Sequence, residues 1–441
     1  MRSLLLNGLL SSLVLLALAA PDCGLLAYYW VSLMAPQEIM YDFLRLPWGK
    51  IIVAAIFLGV IFSSEKKRIP VNSTTVLLFI FFLWTTFTLL FAVYPRYSVE
   101  YWGEFAKIVL LSYLTLTIVN SMERLHALAW IVVIALGFYT IKGGIFVLIS
   151  AGNYQVFGPP TTPFVESNGM ARACIMMFPL AFYLYLQSAN RAVRIGALGA
   201  VGLTILSMIG TGSRGGFIAF AAQLAVFFYY SRHKLRFAAA GIAIVALTLV
   251  VLPKERLVGW TDRISTIEEY QEDASANQRF RAWEYARNMA AEHPLTGGGF
   301  GAFGGNVGLV ANKPELALDA HSNYFQVLGE HGYIGLGLYL LLGLATLAST
   351  WQTQRLTRGQ AALYVHRDLA IMLQIALVGY FVGGLTITHP YLEFYYMLMA
   401  LSVCNLTIVE RKLSPVPVGS NPLLPVDRRF APPVKQTSGS P

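Results

Sequence analysis

The sequence predicts an all-α polytopic membrane protein with about twelve transmembrane helices and one large helical loop between the ninth and tenth, and three observations predict it. Of the 441 residues, 56% are hydrophobic and only 12% are charged, whereas soluble domains run near about a quarter charged. Apolar stretches recur at roughly 17–25 residues, the length a helix needs to cross about 30 Å of hydrocarbon. Positive charge gathers in alternate loops, as the positive-inside rule requires. Strands of a membrane barrel would alternate apolar and polar residues, and these stretches do not.

In chain order the expected spans are 4–20, 48–63, 74–94, 103–120, 125–150, 169–187, 192–209, 215–230, 235–252, 333–350, 368–388 and 391–409. Between them lie the basic groups Lys66-Lys67-Arg68, Arg124 with His126, Arg191 and Arg194, Arg232 to Arg236, Arg355 to Arg367, and Arg411-Lys412. These loops are read as cytoplasmic, and 95–102, 151–168, 210–214 and 253–332 then face the other side. Residues 4–34 hold two apolar stretches interrupted by Pro21 and Asp22. We read 4–20 as the first span, entering from an inside N-terminus, and 24–40 as re-entrant or interfacial. Arg2, an apolar core and Ala17-Leu18-Ala19 also fit a signal peptide. The organisation expected is a bundle over 1–252, a loop over 253–332, further spans over 333–410 and a disordered cytoplasmic tail over 411–441.

A formal charge of +9 could suggest nucleic acid, but its confinement to alternate loops assigns it to membrane topology and membrane lipids instead. Cys23, Cys174 and Cys404 are scattered through apolar sequence with neither metal spacing nor a disulfide framework. The absence of an evident internal repeat weakens an inverted-repeat transporter reading.

Charged groups inside spans are expensive and usually functional. Lys142 sits in the outer half of the fifth span, ahead of Gly143-Gly144. Arg172 lies one turn inside the sixth, and Arg214 occupies Gly210-Thr211-Gly212-Ser213-Arg214-Gly215-Gly216, the short turn between the seventh and eighth. Snorkelling explains one such cation. Three at one membrane level, with few carboxylates nearby and with Gly and Ser permitting close approach, suit a phosphate or diphosphate.

The large loop carries the rest. Residues 277–292 read as an amphipathic helix: at about 100° per residue, Arg281, Glu284, Asn288 and Glu292 share a polar face. Ala282, Trp283, Ala286, Met289, Ala290 and His293 share the opposite face, with Arg279 near its middle. Arg281 is then solvated and paired with Glu284, whereas Arg279 points inward and needs an anion, either a structural carboxylate or a ligand phosphate. Residues 297–305 are glycine-rich but form neither a Walker loop nor a dinucleotide fingerprint, so a flexible loop against the membrane is expected, with a phosphate nest as the lesser option. His321 opens a helix at the level of the arginines, where nearby cations would keep a general base neutral. His331, beside Gly332, reads as interfacial. There is no Asp-x-Asp, no His/Cys cluster and no Gly-x-Ser-x-Gly elbow; Asp22, Glu38 and Asp42, the acids of the first outer region, form no metal motif. No metal and no cofactor are expected.

At Ser213-Arg214-Gly215-Gly216, Arg279-x-x-x-Trp283, His293-Pro294-x-x-Gly297-x-Gly299 and Ala320-His321-Ser322-Asn323-Tyr324, the sequence resembles the bacterial O-antigen ligase superfamily. That superfamily includes O-antigen polymerases and protein O-oligosaccharide ligases. The motifs run in order over roughly residues 165–350, and the 1–50 region resembles the O-glycosylation ligases found near exosortase systems. The resemblance implies a metal-independent glycosyltransferase of the GT-C type in the bacterial inner membrane, acting at the periplasmic face. Its donor would be a glycan on undecaprenyl diphosphate and its acceptor a hydroxyl of lipid A–core, of a protein or of a growing polymer. Carried over by motif, His321 would be the general base and Arg214 and Arg279 would hold the diphosphate; Arg172 and Lys142 join them on topology alone. Outside the superfamily, a lipid or solute transporter is the rival, but its charges should run through the full membrane depth.

Overall fold

The computed structural model describes residues 2–38, 46–65, 68–159, 162, 164–231, 274–302 and 319–414, with a few isolated positions between 233 and 246. The regular elements among these residues are all helical. The expected span 235–252, most of the loop through 273, residues 303–318 and the tail from 415 lie outside the described residues.

Helix α1 (Arg2–Ala19) gives way to α2 (Pro21–Met34) at Ala20, whose non-helical backbone follows from the proline after it. Then come α3 (Trp48–Phe62), α4 (Ser73–Phe87), α5 (Pro95–Ile118) and α6 (Met122–Ile149). Asn72 and Thr75 cap α4 reciprocally, each side chain binding the other's backbone N–H, and Ser121 caps α6. The bundle continues with α7 (Ser167–Gln187), α8 (Arg191–Gly210) and α9 (Arg214–Tyr230). After it come α10 (Ala274–Glu292), α11 (Asn323–Leu356), α12 (Tyr364–Gly383) and α13 (Glu393–Leu413).

Each expected span except 235–252 overlaps one of these helices. Among the described residues, 6 helical stretches are long and apolar enough to cross a membrane: Ser73–Phe91, Met122–Ile149, Ser167–Gln187, Arg191–Gly210, Asn323–Leu356 and Ala361–Gly383. Residues Leu4–Ala19 and Trp48–Phe62 are shorter apolar helices. The protein is a multi-pass helical membrane protein.

Helix α7 forms the centre, buried from Gly169 through Ala181 and packed on α6, α8, α9 and α12. Pro179 lies inside it and has no N–H for the carbonyl of Ile175. The buried Gln223 of α9 supplies that donor from outside, its Nε2 lying 2.9 Å from the Ile175 oxygen and 3.1 Å from that of Ile375 on α12. In hydrocarbon, where water cannot help, such a substitute donor is what lets a helix tolerate proline. Helix α11 packs on α4, α10, α12 and α13, and α2 leans on α3 and α6.

The structure corrects the expected start of the chain. Asp22 lies 3.3 Å from Arg124, which in turn grips Glu65. The turn between α1 and α2 therefore belongs to the end of the bundle that carries Arg124, not to the opposite one. An ion pair with the basic end decides the matter where hydropathy could not: α1 and α2 form a hairpin, closely packed where Gly24 meets Ala17, and α2, at 14 residues, is shorter than a full crossing.

A candidate polar site built on two irregular segments

At the end of the bundle opposite Arg124, the segment leading into α11 is tied to the connection between α12 and α13. His321 has a left-handed backbone, φ 46°, which turns the chain into Ser322 and the first turn of α11. Ser322 stands at the N-cap position, yet its hydroxyl donates to the Gly384 carbonyl at 3.2 Å instead of capping the helix. Its N–H donates to Thr388 Oγ1 at 2.9 Å, the Asn323 N–H donates to the Gly384 carbonyl at 2.8 Å, and the His389 N–H donates to Asn323 Oδ1 at 2.8 Å. These bonds fix residues 321–323 in register with 384–389. Beneath them Tyr380 donates from its hydroxyl to the carbonyl of His389 at 3.1 Å.

Arg172 reaches the same connection. Its side chain is buried in α7, and Nη1 donates to the Thr388 carbonyl at 2.7 Å. Arg214 arrives from a third direction. Ser213 caps α9 by accepting from the Gly216 N–H at 3.1 Å and donates to Asn168 Oδ1 at the start of α7 at 2.6 Å. Gly215 abuts Thr386 so closely that any side chain there would overlap its hydroxyl. Arg214 is thus exposed beside the 384–389 connection.

Arg279 is placed through Trp283. The indole N–H donates to the carbonyl of Ala320 at 3.0 Å, and the ring stacks on Phe325 with centroids 4.9 Å apart. Arg279, one turn earlier on the same face of α10, is half-buried with its Nε enclosed. Arg281, Glu284, Asn288 and Glu292 are exposed while Ala282, Ala286, Met289 and Ala290 are buried, so the two faces fall as the periodicity predicts. Two details differ. Arg281 makes no ion pair with Glu284 among the described residues, and His293 is exposed because α10 ends at Glu292, one residue before it.

Lys142 is exposed on α6, on the turn whose Gly143 and Gly144 lie against Ser207 and the backbone of Leu203 in α8. No described contact ties it to the 384–389 connection.

Three further expectations are corrected. The environment of His321 is not purely cationic: Asp319 Oδ2 lies 3.8 Å from His321 Nδ1. The glycine-rich segment, through residue 302, is packed and not flexible. Gly297, Gly299 and Gly301 all have positive φ, and the N–H groups of Gly298 and Gly299 donate to the carbonyls of Gly329 and Glu330, each at 2.8 Å. The Gly301 N–H donates to Glu330 Oε1 at 3.0 Å, so the turn wraps a buried carboxylate that also accepts from Tyr391 at 2.6 Å. His331 is not interfacial but fully buried, with Nδ1 2.9 Å from Thr88 Oγ1 and its ring 4.4 Å from that of Phe300. The cause is Gly332, whose φ of 66° breaks α11 just after His331 and turns that residue into the core.

The sequence reading passed over Thr388 and His389. His389 is exposed, has a φ of 153°, and its Nδ1 contacts the Thr388 carbonyl that Arg172 also uses. Crowding by surrounding protein first, and the Arg172 cation second, push its imidazole below the ordinary histidine range. Because the ring keeps an open face, the charge of Arg172 is the more durable of the two causes. The available signal was Thr386-Ile387-Thr388-His389-Pro390, a polar run before proline at the end of an apolar helix, where the helix must stop.

The fold and this site define a multi-pass membrane protein with a cation-bearing polar cluster at one end of the bundle. Residues 173–340 match the family model described as O-antigen ligase, so that stretch of the chain is similar to the O-antigen ligase family. Residues 1–189 match a family of unknown function, DUF5935. No curated protein matches the chain. Arg214, Arg279 and His321 fall inside the ligase-family stretch, whereas Thr388 and His389 lie beyond it.

Proposed function

We propose that this protein is an inverting, metal-independent glycosyltransferase of the ligase type. It passes a glycan from undecaprenyl diphosphate to a hydroxyl of lipid A–core oligosaccharide at the periplasmic face of the bacterial inner membrane. The observation that carries the reading is convergence on one connection: the His321 segment, the Arg172 side chain and the Arg214 turn all meet residues 384–389. Trp283 brings the Arg279 turn to the residue before His321.

In this reading His321 accepts the proton of the acceptor hydroxyl at Nε2, and the Asp319 carboxylate, 3.8 Å from Nδ1, favours the imidazolium that forms. The acceptor oxygen forms its bond to the anomeric carbon as the bond from that carbon to the diphosphate oxygen breaks. Attack opposite the leaving group inverts the centre. The electron pair departs with the diphosphate, whose growing charge is met by Arg172, Arg214 and Arg279; Lys142 would act only on a donor extending along α6. A lipid diphosphate is a good leaving group, so no general acid is required.

The O-antigen polymerase and the protein O-oligosaccharide ligase use the same donor and differ in the acceptor alone. Purified protein is to be given undecaprenyl-diphosphate glycan with lipid A–core, a pilin-like protein and a second donor molecule in competition. Glycan on lipid A–core is the expected product. Exclusive transfer to either rival would change the acceptor, and donor movement across the bilayer without transfer would favour a transporter.

A further inference from the structure

At the Arg124 end of the bundle, a cavity of about 440 Å³ opens between the connection from α3 to α4, the last turn of α5 and the last turns of α13. Its floor is apolar: Leu116, Val119, Cys404 and Ile408 line it and each is buried. Its rim carries Arg68 and Arg411, both exposed. Among the described residues no carboxylate pairs with either arginine. The carboxylate on the rim, Glu65, is already engaged. Arg124 holds it through both terminal nitrogens, at 3.0 and 2.7 Å, and the same guanidinium donates to the Ile118 carbonyl at the end of α5 at 2.8 Å. Arg124 therefore neutralises Glu65 and leaves the two arginines as the net charge of the rim.

A second cavity of about 240 Å³ shares Glu65 and Thr117 with the first. A third, of about 210 Å³, shares Val119 with the first and runs along Leu25, Leu26, Ala127 and Leu128 of α2 and α6, its charged lining being Asp22, which Arg124 pairs, Arg124 itself and Glu123. A cationic rim above an apolar floor, continuous with an apolar groove, matches an anion that carries hydrocarbon. Guanidinium forks favour phosphate oxygens, and basic pockets between membrane helices are where anionic headgroups bind.

We propose that this cavity binds the phosphate headgroup of an anionic membrane lipid through Arg68 and Arg411, with acyl chain lying along the α2–α6 groove. The site is remote from His321, so it stands or falls independently of the transfer reaction.

The test is native mass spectrometry of the full chain in detergent, titrated with phosphatidylglycerol, phosphatidylcholine or inorganic phosphate. Each cation near a membrane surface contributes about a factor of five to anionic lipid binding, so phosphatidylglycerol should be retained about 25-fold over phosphatidylcholine. The double variant Arg68→Gln/Arg411→Gln should erase that preference. Arg355→Gln/Arg358→Gln removes two exposed cations from the same end outside the cavity and should keep it. Equal retention of both lipids, or equal loss in the two double variants, overturns the site. Displacement of phosphatidylglycerol by millimolar inorganic phosphate overturns the lipid as its source and leaves a soluble-anion site.

Discussion

Two irregular segments pack against the first turns of α11, and both are held by hydrogen bonds but to opposite ends. Gly297–Ala302 is sealed: its N–H groups bind the Gly329 and Glu330 carbonyls and the Glu330 carboxylate, and the Phe300 carbonyl accepts from Ser98 Oγ at 2.6 Å. The 384–389 connection is tied to α11 just as firmly, through Gly384, Thr388 and His389. Yet it leaves the His389 side chain open, beside a partly open His321 and with Arg172 beneath. The first strap is made largely of backbone bonds, the second largely of side chains bonding to backbone. Glycines with positive φ let the first segment close on a buried carboxylate, while the second keeps Thr386, Thr388 and His389 partly or fully exposed.

The sharpest way to break this contrast is His321→Ala. If His321, whose segment is tied to the second connection, is a general base, single-turnover transfer should fall by about 10²–10⁴-fold while donor binding changes little. A joint fall in binding and transfer would make His321 another strap. Next in size is Arg279→Ala, expected to slow transfer by about 10²–10³-fold, the usual effect of removing one group that stabilises developing charge. Arg281→Ala on the exposed face should stay near wild type, and Arg279→Lys should rescue poorly because an ammonium lacks the planar fork. Equal losses in the two alanine variants would remove the distinction between the faces of α10.

The sealed segment should respond in stability. Glu330→Ala leaves the Gly301 N–H and the Tyr391 hydroxyl buried without their acceptor, at about 1–3 kcal/mol each, so the melting temperature in detergent should drop markedly. A full loss of transfer at unchanged melting temperature would show that this segment, too, serves the reaction. His331→Ala should cost less, about 1–3 kcal/mol for the Thr88 bond and ring packing, with transfer per folded molecule unchanged. Smallest of all is the effect of a chelator. Transfer should continue at the same rate, and a loss reversed by magnesium or manganese would introduce a metal where the sequence offers no clustered ligands.

The helices were legible because composition and span length report directly on solvation in hydrocarbon. So were the faces of α10, since periodicity reports which side is buried. What stayed hidden depends on contacts distant in sequence. Nothing local to Asp22 says that Arg124, a hundred residues on, will fix its end of the bundle. His331 looks interfacial until the φ of Gly332 is known, and the glycine-rich run looks loose until Glu330 is seen inside it. His389 was overlooked because a short turn after an apolar helix reads as a mere connection, although it is where the other segments meet. Arg172, placed by topology alone, reaches that turn; Lys142, placed on the same ground, is exposed on α6.

The bond from Gln223 to the carbonyl of Ile175 makes Pro179 and Gln223 a single heritable unit, although they sit on different helices. A change of Gln223 to leucine orphans the Ile175 carbonyl as long as Pro179 is present, and takes from the Ile375 carbonyl a second donor beyond its helical one. A change of Pro179 to alanine returns the missing N–H to α7 and makes the glutamine's donor redundant at Ile175. The order of substitution thus decides its consequence: proline first is a tolerated path, glutamine first a damaging one. The double variant should be more stable than the Gln223→Leu single variant.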